Sequence, residues 1–85
     1  MVFENAALEQ YQQWTREDQR IFEKISSLIK EVSRTPFTGT GKPESLKGGL
    51  AGFWSRRITQ EHRLVYKVEQ DMITIASCKY HYERG

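Results

Sequence analysis

The chain contains a single cysteine, Cys78, among 85 residues. No intrachain disulfide can form, and a lone thiol suits a reducing compartment. No apolar run approaches the roughly 18 residues of a membrane span, and the N-terminus lacks the basic-then-apolar pattern of a secretory leader. These absences predict a cytoplasmic protein with no membrane partner. Internal repeats and low-complexity stretches are also missing. The length leaves room for one domain, residues 1–85, with a modest core. A hydrophobic content of 38% and a charged content of 28% fit a globular chain, not a disordered one.

Several kinds of catalytic apparatus are missing as well. There is no second cysteine pair and no H-E-x-x-H, and Cys78 and His81 would point to opposite faces of a regular strand. No metal and no cofactor are expected. A G-x-S-x-G elbow is absent, and Cys78 in an apolar strand context reads as an inert buried thiol. Gly48-Gly49 and Gly52 fit turns better than a phosphate-binding loop.

What the chain does have is an uneven charge distribution. The net charge is only +2, but residues 42–67 carry six basic groups against Glu44 and Glu61 alone. Residues 1–41 carry five basic groups and six acidic ones. The local excess fits either a solvated face or an anionic partner, of which a polyphosphate backbone is the commonest.

The elements read as helices followed by strands. Val2-Phe3 resembles the remnant of a strand. Asn5 is placed to cap a helix with Leu8, Tyr11 and Trp14 on one face. Thr15-Arg16-Glu17-Asp18 resembles a capping box opening a second helix. There Ile21, Phe22, Ile25, Leu28, Ile29 and Val32 form one apolar stripe, which Pro36, Gly39 and Gly41 end. A loop from Thr35 to Gly52 comes next, of a length usually functional or disordered in a compact domain. Strands are then expected at Phe53–Ile58, at His62–Val68 and from Met72 to about Tyr82, joined by Thr59-Gln60-Glu61 and Glu69-Gln70-Asp71. This order predicts an α+β domain, two N-terminal helices on one face of an antiparallel sheet, with the other face left free for a ligand.

Metal-free RNA cleavage needs a base for the ribose 2′-hydroxyl, cations for the phosphorane and an acid for the departing 5′-oxygen. Glu44 in the basic loop is a candidate base. Arg57 and Arg63 are candidate phosphate ligands, and His81, with a side chain that titrates near neutrality, is a candidate acid. A three-residue hairpin at 59–61 would set Arg57 opposite Arg63, an unfavourable pairing without an anion between them. Arg56 would alternate to the other face as a structural or surface residue, and His62 would be a surface or packing histidine. Glu44 can equally serve only to neutralise Lys42 or Lys47. Tyr66, Tyr80 and Tyr82 can be ordinary half-buried strand residues.

The run "RTPFTGTGKPESLKGGLAGFWSRRITQEHRLVYKV" followed by "CKYHY" closely resembles the YoeB/Txe toxins of bacterial toxin–antitoxin pairs, within the RelE-like superfamily. The likeness extends from about Trp14 to Tyr82. It implies a microbial-ribonuclease-like fold, two helices on a curved, mainly antiparallel sheet. It also implies a ribosome-dependent mRNA endonuclease that cuts the codon in the A site of the 70S ribosome, a YefM-like antitoxin and a homodimer. Carried over by position, Glu44 matches the family's general base, His81 its general acid, Arg63 its phosphate-stabilising arginine and Tyr82 the tyrosine that positions the RNA. Lys47, Arg57 and Glu61 match supporting positions. Ser45 departs from the pattern by replacing a second proline. Glu83-Arg84-Gly85 extend beyond the tyrosine at which relatives commonly stop. A non-catalytic RelE/ParE-like toxin acting on translation or gyrase by occupancy is the competing class, since the fold alone does not fix function. A degenerate toxin that only binds its antitoxin is a third. Both His81 and Tyr82 are asked to serve one site, so the last strand should bend or stop at about Tyr80.

Overall fold

The computed structural model describes residues 1–81; Tyr82 and the extension Glu83-Arg84-Gly85 lie outside the described residues. The elements in order are β1 (Val2–Phe3), α1 (Asn5–Glu17), α2 (Gln19–Arg34), β2 (Glu44–Ser45), a 3-10 turn (Gly48–Leu50), β3 (Phe53–Arg57), β4 (Arg63–Glu69) and β5 (Met72–Ser77). One five-stranded sheet runs β1-β5-β4-β3-β2. All pairings are antiparallel except that of β1 with β5, which is parallel. Two helices on one face of a mainly antiparallel sheet is the α+β architecture expected.

The α2 stripe behaves as its spacing requires. Ile25, Leu28 and Val32 are buried, and Ile21, Phe22 and Ile29 pack partly buried around them. They meet Ile58, Leu64, Tyr66 and Ile75 from the inner face of the sheet. In α1 the buried line is rotated by one residue from expectation. Ala7, not Leu8, reaches the core with Tyr11 and Trp14, and Leu8 is exposed. A small residue there lets α1 lie close to β5, against which it packs.

The two helix starts also differ from the sequence reading. Asn5 is the first helical residue of α1, and the cap position is Glu4, whose side chain makes no capping bond. The break between the helices is a single residue, Asp18. Its Oδ1 accepts from the backbone N–H of Arg20 and Ile21 at 3.0 and 3.3 Å. Thr15 is instead bonded to the Gln12 carbonyl inside α1. Aspartate wins because its carboxylate sits where the orphan N–H groups of α2 open, while Thr15 is still a turn inside α1.

After α2 the chain passes through residues 35–43 to β2, and this stretch is fastened by one side chain. Arg56 is fully buried on the helix-facing side of β3. Its Nε donates to the Tyr66 hydroxyl at 3.1 Å. Nη1 donates to Glu31 Oε1 at 2.6 Å and to the Thr40 carbonyl at 3.2 Å. Nη2 donates to the carbonyls of Thr35 and Thr38. The five N–H groups of a guanidinium thus meet five acceptors. Tyr66 passes the link on by donating to the Pro36 carbonyl at 2.6 Å. Glu31 Oε1 accepts from Thr40 N–H at 3.0 Å, and Oε2 from the Thr40 hydroxyl. First the Thr40 N–H, then its hydroxyl and the Arg56 charge, hold the Glu31 carboxyl below its ordinary pKa despite partial desolvation. Gly41 completes the fastening. Its carbonyl accepts from Arg57 N–H at 2.7 Å. It sits at φ +88°, and a Cβ there would lie 3.0 Å from the Arg57 carbonyl oxygen.

Arg56→Met, which keeps bulk but leaves Glu31 and three loop carbonyls without their donor, should lower the unfolding free energy by about 3 kcal/mol or more, read as a lower urea midpoint. Gly41→Ala should also destabilise, by more than about 1 kcal/mol, because both its φ and the close approach to β3 oppose a side chain. The sign for acid is set by the lowered Glu31 carboxyl. Its contribution is full above the ordinary glutamate range and is lost progressively as pH falls from that range to the lowered value, so urea midpoints should start to drop as pH enters the ordinary glutamate range.

Candidate active site

The register puts the sequence-predicted side chains on the sheet face away from the helices. Paired residues share a face, so Glu44, Ser55, Val65 and Ser77, paired in turn across β2, β3, β4 and β5, form one row. The neighbouring pair on that face is Arg57 with Arg63. With strands about 4.8 Å apart, the backbones bearing Glu44 and Arg63 are separated by roughly 10 Å across the sheet. The predicted hairpin of 59–61 is the one observed, with the Ile58 N–H bonded to the His62 carbonyl at 2.9 Å.

This face is less open than expected. Ser55 and Val65 are buried, and the chain after β2 folds over them. Leu50 comes to line a pocket of about 370 Å³ together with Val65, Ala76, Ser77, Tyr80 and His81. Lys47, exposed, stands at the head of the same 3-10 turn.

Arg63 is held in a fixed orientation by the turn that precedes it. Its Nη1 donates to the carbonyls of Thr59, Gln60 and His62 at 2.8, 3.1 and 3.1 Å. Among the described residues, its Nε and Nη2 make no hydrogen bond, which leaves one edge of the guanidinium for an anion. His81 is exposed, and its Nε2 lies 3.3 Å from the same Gln60 carbonyl. Arg63 and His81 therefore converge on one atom. Arg57 is exposed. Glu61 departs from the group. Its carboxylate is 3.7 Å from His62 Nε2 and stands mostly in solvent.

His81 arrives by an irregular path, not on a long strand. β5 ends at Ser77 rather than near Tyr82. A register shift opposite Val65 and Tyr66 places Val65 against Ser77 and Tyr66 against Ile75. The end of the strand at Ser77 and the turn at Tyr80, both after this bulge, break the alternation that would put His81 with Ser77 and Lys79 on one face. Three side chains and one backbone N–H from elsewhere then satisfy the backbone of Cys78 and Tyr80. Cys78 N–H donates to Gln10 Oε1 at 2.7 Å, and its carbonyl accepts from Trp14 Nε1 at 3.0 Å. Tyr80 N–H donates to His62 Nδ1 at 2.7 Å, and its carbonyl accepts from Arg63 N–H at 3.0 Å. Tyr80 sits at φ +63°, a conformation that costs a non-glycine residue about 1–2 kcal/mol. Lys79 caps the arrangement from outside. Its Nζ bonds Gln13 and Glu17 of α1 and lies over the Trp14 ring.

His62, expected as a surface or packing histidine, is buried edge-on to Trp14, with ring centroids 4.8 Å apart. Its role as acceptor for Tyr80 has no local signal, because the partner is 18 residues away. Tyr82, assigned by sequence likeness, lies outside the described residues. Among the described residues, no three His, Cys, Asp or Glu side chains group as metal ligands.

The helix pair, the sheet order and the cationic face define a small α+β domain, and comparison with known proteins gives the family. Residues 3–82 match the family described as YoeB-like toxin of bacterial type II toxin-antitoxin system. The chain is 54% identical over 82 residues to Toxin YoeB of Escherichia coli K12, covering 96% of this chain and 98% of that one. Among solved structures, the YoeB/ParE toxin from Agrobacterium tumefaciens superposes with a TM-score of 0.92 at 48% identity, covering 95% and 96% of the two chains. The YoeB of a YoeB–YefM complex from Staphylococcus aureus gives 0.87 at 46% identity, covering 95% and 94%. A YoeB dimer from the same organism gives 0.87 at 48% identity with the same coverage. The protein belongs to the YoeB-like toxins of bacterial type II toxin–antitoxin systems.

Cys78 is the one thiol, and burial pushes its pKa up to about 12, against a smaller opposing effect of Lys79. Iodoacetamide at mildly alkaline pH should leave it unmodified in the folded protein and label it on denaturation. The same shift sets a sign. The unfolded chain releases this proton near about 8.5 and the folded chain does not, so the urea midpoint should fall as pH rises from there toward 12.

Proposed function

We propose that the protein is a ribosome-dependent mRNA endoribonuclease that cuts within the A-site codon and so inhibits translation. The observation that carries this reading is the convergence of Arg63 and His81 on the Gln60 carbonyl, on the face that also bears Glu44 and Arg57. The groups present supply each step of the chemistry. Glu44 takes the proton of a ribose 2′-hydroxyl. The freed oxygen attacks the adjacent phosphorus, and the bond to the 5′-oxygen breaks. The free edge of Arg63 stabilises the charge that builds on the phosphoryl oxygens, as oriented cations do best in a site that needs no reorganisation. His81, as the imidazolium, gives its proton to the departing 5′-oxygen. The carboxylate, guanidinium and imidazole together meet the needs of the reaction, so no metal is called for. Lys47 and Arg57 supply further positive charge along the phosphate backbone, and Tyr82 orients the nucleotide. Glu61 supports the site indirectly, through His62.

Family membership supports this assignment, as does the likeness to relatives solved with YefM and as a dimer. By the same likeness, the partner is a YefM-like antitoxin and the toxin is a homodimer. The place of action is the cytoplasm, where ribosomes are.

Programmed ribosomes carrying a defined message provide the test. Wild-type protein should produce 3′ ends inside the A-site codon. Glu44→Gln, Arg63→Ala and His81→Ala should each slow cleavage by about a hundredfold or more. Stalled translation without such ends would mark an inhibitor acting by occupancy instead.

A further inference from the structure

Among the described residues, His62 bonds none of Glu44, Arg57, Arg63 or His81 through its imidazole, yet it holds the backbone that leads to His81. It precedes Arg63 in the chain, its carbonyl is one of three that hold Arg63 Nη1, and its Nδ1 accepts the N–H of Tyr80, the residue before His81. Tyr80 occupies a backbone conformation that an aromatic residue rarely adopts, at φ +63°. Its two backbone bonds both lead to this corner, one to His62 Nδ1 and the other to Arg63 N–H. Its ring also packs on the His62 ring, with centroids 5.5 Å apart. We infer that His62 is a positioning residue, whose neutral imidazole holds the left-handed turn at Tyr80 and so delivers His81 to the Gln60 carbonyl beside Arg63.

The bond fixes the protonation state required. An N–H cannot donate to a nitrogen that carries its own proton, so Nδ1 must be bare and the proton must sit on Nε2. Nε2 lies 3.7 Å from Glu61 Oε1, a largely exposed carboxylate beyond hydrogen-bond distance. A second proton would turn Nδ1 into a donor aimed at the Tyr80 N–H and break the bond. The other charged groups around the ring are Arg63 on β4, Lys79 after β5, Glu17 on α1 paired with Lys79 at 2.9 Å, and His81 itself. The two histidines thus have opposite requirements. His62 must be neutral to place the segment, and His81, under the endoribonuclease reading on which this inference rests, must be charged to protonate the leaving oxygen.

Two substitutions separate position from packing. His62→Phe keeps a ring against Trp14 and removes the acceptor. His62→Asn keeps an acceptor near the place of Nδ1 and cannot take a proton. The readouts are hydrogen exchange of the Tyr80 amide in the free protein, and single-turnover cleavage on programmed ribosomes from about pH 5 to about pH 8. His62→Phe should speed Tyr80 exchange about tenfold or more and slow cleavage by tenfold to roughly a hundredfold. His62→Asn should restore both. Wild type should lose Tyr80 protection in acid while His62→Asn keeps it. Unchanged Tyr80 exchange in a folded His62→Phe protein would overturn the inference, as would a wild type and a His62→Asn protein that lose protection in parallel as the pH falls. If His62→Phe does not fold, that last comparison decides alone. If no protein cleaves, wild type included, the nuclease reading fails, while the exchange data still decide the role of His62.

Discussion

The structure depends on a charge placed where charges are rarely found. Arg56 has no exposed surface, and its guanidinium binds Glu31 at the end of α2, Tyr66 on β4 and three carbonyls of the chain between α2 and β2. Bare loop backbone buried against a core would leave carbonyls unpaired, at a penalty of about 1–3 kcal/mol each. One planar, five-donor group meets several at once. A hydrophobic side chain would fill the space but leave the carbonyls unmet, so this pair specifies a loop conformation in a way bulk alone does not. The loop leads directly into β2, so its conformation also sets the place of Glu44.

The other end of the site repeats this logic with neutral groups. Residues 78–80 form no ladder, yet Gln10, Trp14, His62 and Arg63 take up the N–H and C=O groups of Cys78 and Tyr80. Functional side chains on loops must be held by something other than regular hydrogen bonding. Here both loops are held by long-range side-chain contacts to α1, α2 and the sheet. The rigid middle, β3 and β4, carries Arg57 and Arg63. The sheet therefore fixes the cations, and two fastened loops bring a carboxylate and an imidazole toward them.

This division explains which features are legible in the sequence. The stripe of α2 is legible because 3.6-residue periodicity is a local property. So is the pairing of Arg57 with Arg63, which needs only the length of the connector. Leu8 misleads because one residue of helix rotation separates it from Ala7, and hydrophobicity alone favours the larger side chain. Asp18 reads as part of a capping box, not as the cap, because both it and Thr15 have the chemistry and only backbone geometry chooses. The bulge opposite Val65 and the turn at Tyr80 carry no local mark, since their causes sit in other elements. Glu44, Arg63 and His81 are candidates on their chemistry; register sets the face of Glu44 and Arg63, and the irregular segment after β5 brings His81 to Arg63. The assignment of Tyr82 comes from likeness alone.

Arg57 and Arg63 face each other across β3 and β4 on the outer side of the sheet. Like charges directly opposite weaken a strand pair, so the fold accepts a local penalty there. Arg63 reduces it by giving Nη1 to three turn carbonyls, whose partial negative charge lies close to the cation. Arg57, exposed, spreads its charge into water. Neither device removes the repulsion, and a phosphate between the two would. The same pairing that works against the empty sheet would, under the proposed endoribonuclease reading, favour a bound phosphate backbone that relieves the repulsion. An arginine pair on an edge strand could swing apart and lose this effect. Here the Arg57 N–H is bonded to the Gly41 carbonyl and the Arg63 N–H to the Tyr80 carbonyl, and these outer bonds oppose separation of the two backbones.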